Sequence, residues 1–253
     1  MSKFIEKLKR AYLGPTHSIG FRKSPEAENP PVLLIASLMG ANLAQAEAMA
    51  AEMDSAIVSS ADVNAKDFGQ LVKVIGDVPL GLLVESTDKG DIAKLIEFGS
   101  DFVVFDLKTP FEAVNKENMG KILKIERSLD QGLVKCIHGL PLVVDGVMVA
   151  GEEPLITIEA LLTYQRVAEL LDKPLLVTLG TLPTKGELQA LYEAGVNGLV
   201  LPGGLAVEVF ADLRKSMAEL SATVKRRTRS AALLPRAGGE LVVEAGGEEE
   251  EEI

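Results

Sequence analysis

The stretch that decides the fold is residues 174–205, PLLVTLGTLPTKGELQALYEAGVNGLVLPGGL. Leu175 to Thr178 is a short run of branched apolar residues between Pro174 and Gly180, as in a strand buried on both faces of a parallel sheet. Thr184, with Glu187 three residues on, is the signature of a capping box. Leu188, Leu191 and Tyr192 then recur at helical spacing, and Gly195 closes the helix. Asn197-Gly198 turns the chain into Leu199-Val200-Leu201, and Pro202-Gly203-Gly204 leads into another helix. Strand, helix and strand in so few residues make one right-handed βαβ unit.

The same alternation runs back to Val32. Strands are expected at residues 32–36, 56–59, 80–85, 102–106, 122–127 and within 143–150. Helices are expected near 41–53, 65–75, 89–98, 111–119, 129–137 and 156–171, and a last one over 205–225. Eight strands alternating with helices exclude a β-sandwich or a helical bundle. An open dinucleotide-binding sheet would show GxGxxG after the first strand, and Ser37-Leu38-Met39-Gly40-Ala41 lacks it. The expected fold is therefore a single (β/α)8 TIM barrel, and 253 residues suit one barrel of about 250. A polar turn residue leads into several of the strands, as in Ser100-Asp101-Phe102, Val144-Asp145-Gly146 and Val196-Asn197-Gly198. Asp145-Gly146 also fits a hairpin turn, which would break the count.

The barrel is expected over residues 32–225. Before it, residues 2–13 form an amphipathic helix with Phe4, Leu8, Ala11 and Tyr12 on one face, fit to plug the barrel floor or to lie on anionic lipid. Residues 14–31, with His17 and several prolines, make an irregular connection. After it, residues 226–253 pass from Arg226, Arg227 and Arg229 through glycine pairs to a glutamate run, the composition of a disordered tail. Residues 240–253 hold seven glutamates and no base, so of the formal charge of −11 only −4 belongs to residues 1–239. A mildly acidic body gives no general nucleic-acid surface. One cysteine, Cys136, allows no internal disulfide, and two histidines make a zinc site unexpected. No apolar run reaches the roughly 18 residues of a transmembrane helix. The opening MSKFIEKLKRAYLG lacks the apolar core of a secretion signal, so the expected compartment is the cytoplasm.

Barrel enzymes carry their chemistry at the carboxyl ends of the strands. Those ends read Ser37, Ser60, Glu85, Asp106 with Lys108, Glu126 with Arg127, then Glu152 and Glu153. Alternation in residues 122–127 turns Leu123 and Ile125 to the helices and Lys124 and Glu126 to the barrel interior. Lys124 and Glu126 are thus a candidate acid–base couple, with Glu85, Asp106 and Lys108 beside them. An ion-pair network closing the core would use the same residues. Glycines after the last two strands let backbone N–H groups approach an anion, and the following helix adds its positive end. Gly180, Thr181, Gly203 and Gly204 are the candidate phosphate-binding residues.

The end of the chain resembles the ribulose-phosphate-binding and flavin-binding barrels through Gly180-Thr181, Glu187-Leu188, Ala194-Gly195, Gly198-Leu199-Val200 and Gly203. It has one glycine after strand seven where those barrels have a pair. The resemblance implies a phosphorylated ligand or flavin mononucleotide (FMN) at these glycines. Phe105-Asp106-Leu107-Lys108 is similar to the Asp-x-Lys element of the orotidine-phosphate decarboxylase group, in which acid and lysine act together. The second aspartate of that group is Phe111 here, with Glu112 one place late, and what carries over is cooperation of Asp106 with Lys108. Two functions remain open: a lyase or isomerase moving a proton on a phosphorylated small molecule, and a non-catalytic barrel that engages a protein partner through residues 226–253.

Overall fold

The first backbone N–H of a parallel strand needs an acceptor outside the ladder, and an acid or amide at the start of the next strand supplies it. Asp54 accepts from Leu34 N at 2.9 Å, Asp145 from Lys121 N at 3.1 Å and Asn197 from Leu175 N at 3.0 Å. Two of the polar-then-apolar phrases of the sequence, at Asp145 and Asn197, make this contact, whereas the carboxylate of Asp101 in the third turns to the leading helix.

A computed structural model describes residues 2–14, 30–39, 43–85, 97, 99–151 and 153–223. It contains β1 (Leu33–Ser37), β2 (Ser55–Ser59), β3 (Leu80–Leu83), β4 (Phe102–Phe105), β5 (Gly120–Ile125), β6 (Gly146–Val149), β7 (Leu175–Thr178) and β8 (Val196–Leu201). All neighbours are parallel and β8 pairs back onto β1, so the eight strands close into a barrel. The fold is the expected TIM barrel, and the parallel β5–β6 pairing excludes a hairpin at Asp145-Gly146.

The helices are α1 (Lys3–Leu13), α2 (Leu43–Met49), α3 (Ala65–Ile75), α4 (Phe111–Val114), α5 (Gln131–Cys136), α6 (Ile158–Leu170), α7 (Lys185–Glu193) and α8 (Val207–Thr223). The capping box of Thr184 and Glu187 at the start of α7 is present. Differences from the sequence reading lie at element ends. Only four residues of the helix read at 111–119 are helical, and Asn118 then takes a left-handed φ of 61° before Gly120 opens β5. β5 and β8 each begin earlier than the sequence suggests, because their glycine and polar starts stay in the ladder. The helix expected at 89–98 and the tail at 226–253 lie outside the described residues.

Two apolar cores result. Outward strand residues such as Val103, Leu123, Ile125, Val147 and Leu199 pack with the helices. Inward residues, among them Ile35, Ile57, Val104, Ile122, Met148, Leu176 and Val200, fill the barrel together with Phe4, Ile5, Leu8 and Ala11 of α1. The leading helix is therefore a floor plug. Glycine makes room for it: a Cβ at Gly120 would stand 2.5 Å from Ile5, and at Gly81 it would strike the ring of Phe102. That ring stacks on Phe4 with centroids 4.2 Å apart.

Polar contacts seat the plug. Asp101, leading into β4, accepts from Ser2 Oγ at 2.7 Å, Lys3 N at 2.8 Å and Phe4 N at 2.9 Å. Lys7 Nζ donates to the Asp54 carbonyl at 3.0 Å, and Tyr12 Oη donates to Asp172 at 2.7 Å. The basic face of α1 thus meets acids and carbonyls at the amino ends of the strands. With the floor closed, the carboxyl ends form the open face.

Candidate functional site

At the carboxyl rim, strand register places the charged residues. Leu83 is level with Val104, and Phe105 with Leu123. One or two residues further, Glu85, Asp106 and Lys124 stand level on β3, β4 and β5. Their inward parity follows from Leu83, Val104 and Ile122, which belong to the barrel interior. Neighbouring parallel strands are about 4.8 Å apart, so the three backbones are adjacent.

Each of the three is held differently. Glu85 accepts a hydrogen bond from Ser59 Oγ, and its own N–H donates to Ser60 Oγ at 3.0 Å. Ser59 is fully buried and points inward on β2, so it fixes one carboxylate oxygen at the edge of the interior. Asp106 closes its own loop as an Asx turn, Oδ1 accepting from Lys108 N at 2.9 Å and Thr109 Oγ1 at 3.0 Å. The Asp106–Lys108 contact is thus through the Lys108 backbone, and the Lys108 side chain is exposed. Lys124 is half-buried, level with Met148, and among the described residues its ammonium makes no hydrogen bond or ion pair. Glu126 is exposed and accepts a long bond of 3.4 Å from Ser128; no ion pair joins it to Lys124 among the described residues. By strand parity Lys124 is the inward cation one step above Ile122 and level with Met148.

The glycine ends lie across the ring, since β8 is four strands from β4 in a barrel of eight. Thr178 is level with Val200, and Ile35 with Val200 on the other side. Gly180, Pro202 and Ser37 follow at equal height. Gly203 passes close under the strand-one exit, where a Cβ would stand 2.7 Å from Met39 O. Gly204 adopts φ 77° with open space where a side chain would be. Ala206 precedes α8 and has no side-chain oxygen to cap it; Val209 N donates to Ala206 O at 3.2 Å, Glu208 lies in the first turn, and the N–H groups of Val207 and Glu208 have no protein acceptor among the described residues. Thr181 donates its hydroxyl to Pro154 O at 2.6 Å, so it ties the rim loops together. The helix after Gly180 is different, because Glu187 already occupies the α7 N-terminus.

Sequence reasoning missed Ser59, taking Ser60 as the strand end; inward parity from Ile57 was the available signal. It also missed Tyr164, which sits at helical core spacing and differs from a packing residue only in its hydroxyl. Cys136 is exposed at the end of α5, and His138 Nε2 accepts from Asp172 N at 3.2 Å. No helix among the described residues is long and apolar enough to cross a membrane.

No family model and no curated protein matches the chain. Solved structures do. A mutant tryptophan synthase alpha-subunit from Pyrococcus furiosus superposes with a TM-score of 0.56 at 15% identity, over 75% of this chain and 98% of that one. Orotidine 5'-phosphate decarboxylase from Pyrococcus horikoshii OT3 gives 0.58 at 13% identity, over 74% and 99%. What is shared at these identities is the barrel.

Proposed function

We propose that the chain is a barrel enzyme that binds a small phosphorylated molecule and moves a proton on it, as a lyase or isomerase does, with Lys124 facing the reacting carbon. The observation that carries this reading is the placement of Lys124: an inward, half-buried amine, level with Glu85 and Asp106, with no bonded partner among the described residues. Lys124 is half-buried, so its unpaired charge is tolerated at the barrel mouth and stays available to a ligand. The glycine side of the rim supplies the other half. Gly203, Gly204 and the uncapped start of α8 suit a phosphate, whose position would hold the substrate across the mouth with its carbon skeleton towards β3–β5. The naming of one structural neighbour for a 5'-phosphate substrate adds support from the same fold.

In this reading Lys124 supplies or removes the proton, and Glu85, two strands away and oriented by Ser59, is a second acid–base group at the same height. Asp106 shapes the floor of the loop carrying Lys108. The test is proton exchange. The full chain is incubated in deuterated water with a panel of three- to six-carbon sugar phosphates, and loss of carbon-bound proton signals is followed by NMR. Exchange in one of them, abolished by Lys124→Met, is expected. Borohydride reduction in parallel reports whether Lys124 forms a Schiff base instead, by a ligand-sized mass increase at that residue. Flavin absorbance in the purified protein would replace the substrate reading by bound FMN at the same glycines. No exchange, no adduct and no flavin would refute the proposal.

A further inference from the structure

We propose that a second pocket, behind the rim between the barrel and α6, binds the carboxylate of a small ligand. It is walled by Arg127, Gly151, Tyr164, Thr178 and the Gly180-Thr181 turn. Arg127 follows β5 with outward parity, and Tyr164 belongs to the core between barrel and helices, so the pocket stands apart from the inward Lys124. The two sites therefore succeed or fail separately.

The hydroxyl of Tyr164 points to a ligand. The residue is 3% exposed, yet its hydroxyl makes no hydrogen bond among the described residues and borders the cavity. The oxygen is open to the cavity rather than sealed, since the sealed and unpartnered side-chain atoms among the described residues are Asn197 Nδ2 and Arg214 Nε, so it is free to meet a ligand oxygen. Gly151 is packed closely here, since a Cβ there would stand 2.4 Å from Thr178 O and 2.9 Å from the Tyr164 oxygen. Gly180 N and Thr181 N have no backbone acceptor among the described residues, and they border the same space. Burial holds the Tyr164 pKa above its ordinary value, opposed by Arg127 and assisted by Glu153, so the hydroxyl is a donor at neutral pH. Among the described lining side chains Arg127 is the one cation and Glu153 the one carboxylate.

Size and charge select the ligand. The enclosed volume is about 10 Å³, room for one water-sized group. A carboxylate places one oxygen inside, against Tyr164 and the turn, and leaves the other for the Arg127 fork. Arg127 already holds a carboxylate, that of Glu153 at 3.2 Å, whose side chain is 54% exposed. An incoming carboxylate replaces it like for like, and Glu153 swings to water.

The experiment is a ¹H–¹⁵N NMR titration of the full chain with acetate, and with inorganic phosphate in parallel. Acetate should shift the Gly180 and Thr181 amides and the Arg127 Nε–H saturably. Glu153→Gln should tighten binding about threefold, the factor expected when an exposed ion pair no longer competes. Tyr164→Phe should weaken it about tenfold, as loss of a hydrogen bond to a charged group does. Lys124→Met should leave it unchanged. Absence of saturation, equal affinity in Tyr164→Phe, or saturation by phosphate but not by acetate would overturn the assignment. Should Tyr164→Phe fail to fold, the wild-type titration and the surface variant Glu153→Gln still decide it.

Discussion

Truncation of Phe4 to alanine tests whether α1 is part of the barrel core or an appendage. Phe4 is fully buried and stacks on Phe102 with ring centroids 4.2 Å apart and planes 24° from parallel. Beneath the rings, glycine positions 81 and 120 have no side chains that could move into the gap. A buried Phe→Ala change costs about 3–5 kcal/mol, of which the ring–ring geometry accounts for about 0.5–1.5. A closed ring of eight strands cannot contract to fill the void, so the expected loss is about 4–5 kcal/mol, in the upper half of that range. The assay is urea unfolding followed by circular dichroism, with equal slopes required for comparison. Leu13→Ala is the control from the same helix: its side chain is 74% exposed, and the change should stay within about 0.5 kcal/mol. A Phe4→Ala loss below about 1 kcal/mol, or one equal to that of Leu13→Ala, would refute the floor-plug account.

Four further outcomes are expected. Asp101→Ala removes the acceptor of three bonds to the start of α1 and should cost about 2–4 kcal/mol in the same urea assay; a neutral result would contradict the seating of the helix. Gly203→Ala forces a Cβ against Met39 O at 2.7 Å and should destabilise by about 1–3 kcal/mol, against no change if the loop can shift freely. The raised pKa of Tyr164 means that the unfolded chain releases this proton first as pH rises through about 10, so stability falls there. Tyrosinate absorbance should contain a component titrating above 10 that Tyr164→Phe removes, and its persistence in that variant would contradict the burial of this hydroxyl. Lys124→Met should abolish proton exchange while leaving the melting temperature equal or higher, because an amine kept for chemistry is no stabiliser where it stands; a clear drop in melting temperature would favour a structural role.

The barrel was legible because its signals are local. Apolar runs of four to six residues, glycine stops and the Thr184–Glu187 cap each specify one element, and their alternation leaves one closed topology. Parity along Leu123, Lys124 and Ile125 placed Lys124 inward from sequence alone. Bonding partners were not legible. Asp106 and Lys108 are two apart, and nothing in that spacing distinguishes a side-chain couple from the Asx turn that the structure forms. The pairing expected between Lys124 and Glu126 depends on where the strand ends, and β5 stops at Ile125, which leaves Glu126 on an exposed turn. Tyr164 and Arg127 come from a helix and a loop 37 residues apart and meet only through the tertiary packing of α6 on the rim. The aspartates before the strands were visible as a repeat, but their role as seats for the previous strand and for α1 needed the register.

The most direct measurement on the central claim follows the Lys124 ε-methylene by ¹H–¹³C NMR in lysine-labelled full chain, assigned by its loss in Lys124→Arg. Titration with a sugar phosphate that supports proton exchange should shift that signal saturably, and inorganic phosphate should shift the Gly203 and Gly204 amides while moving Lys124 little. A Lys124 signal that stays fixed while the ligand binds would show that the amine does not face the substrate, and the proposed chemistry would fail with it.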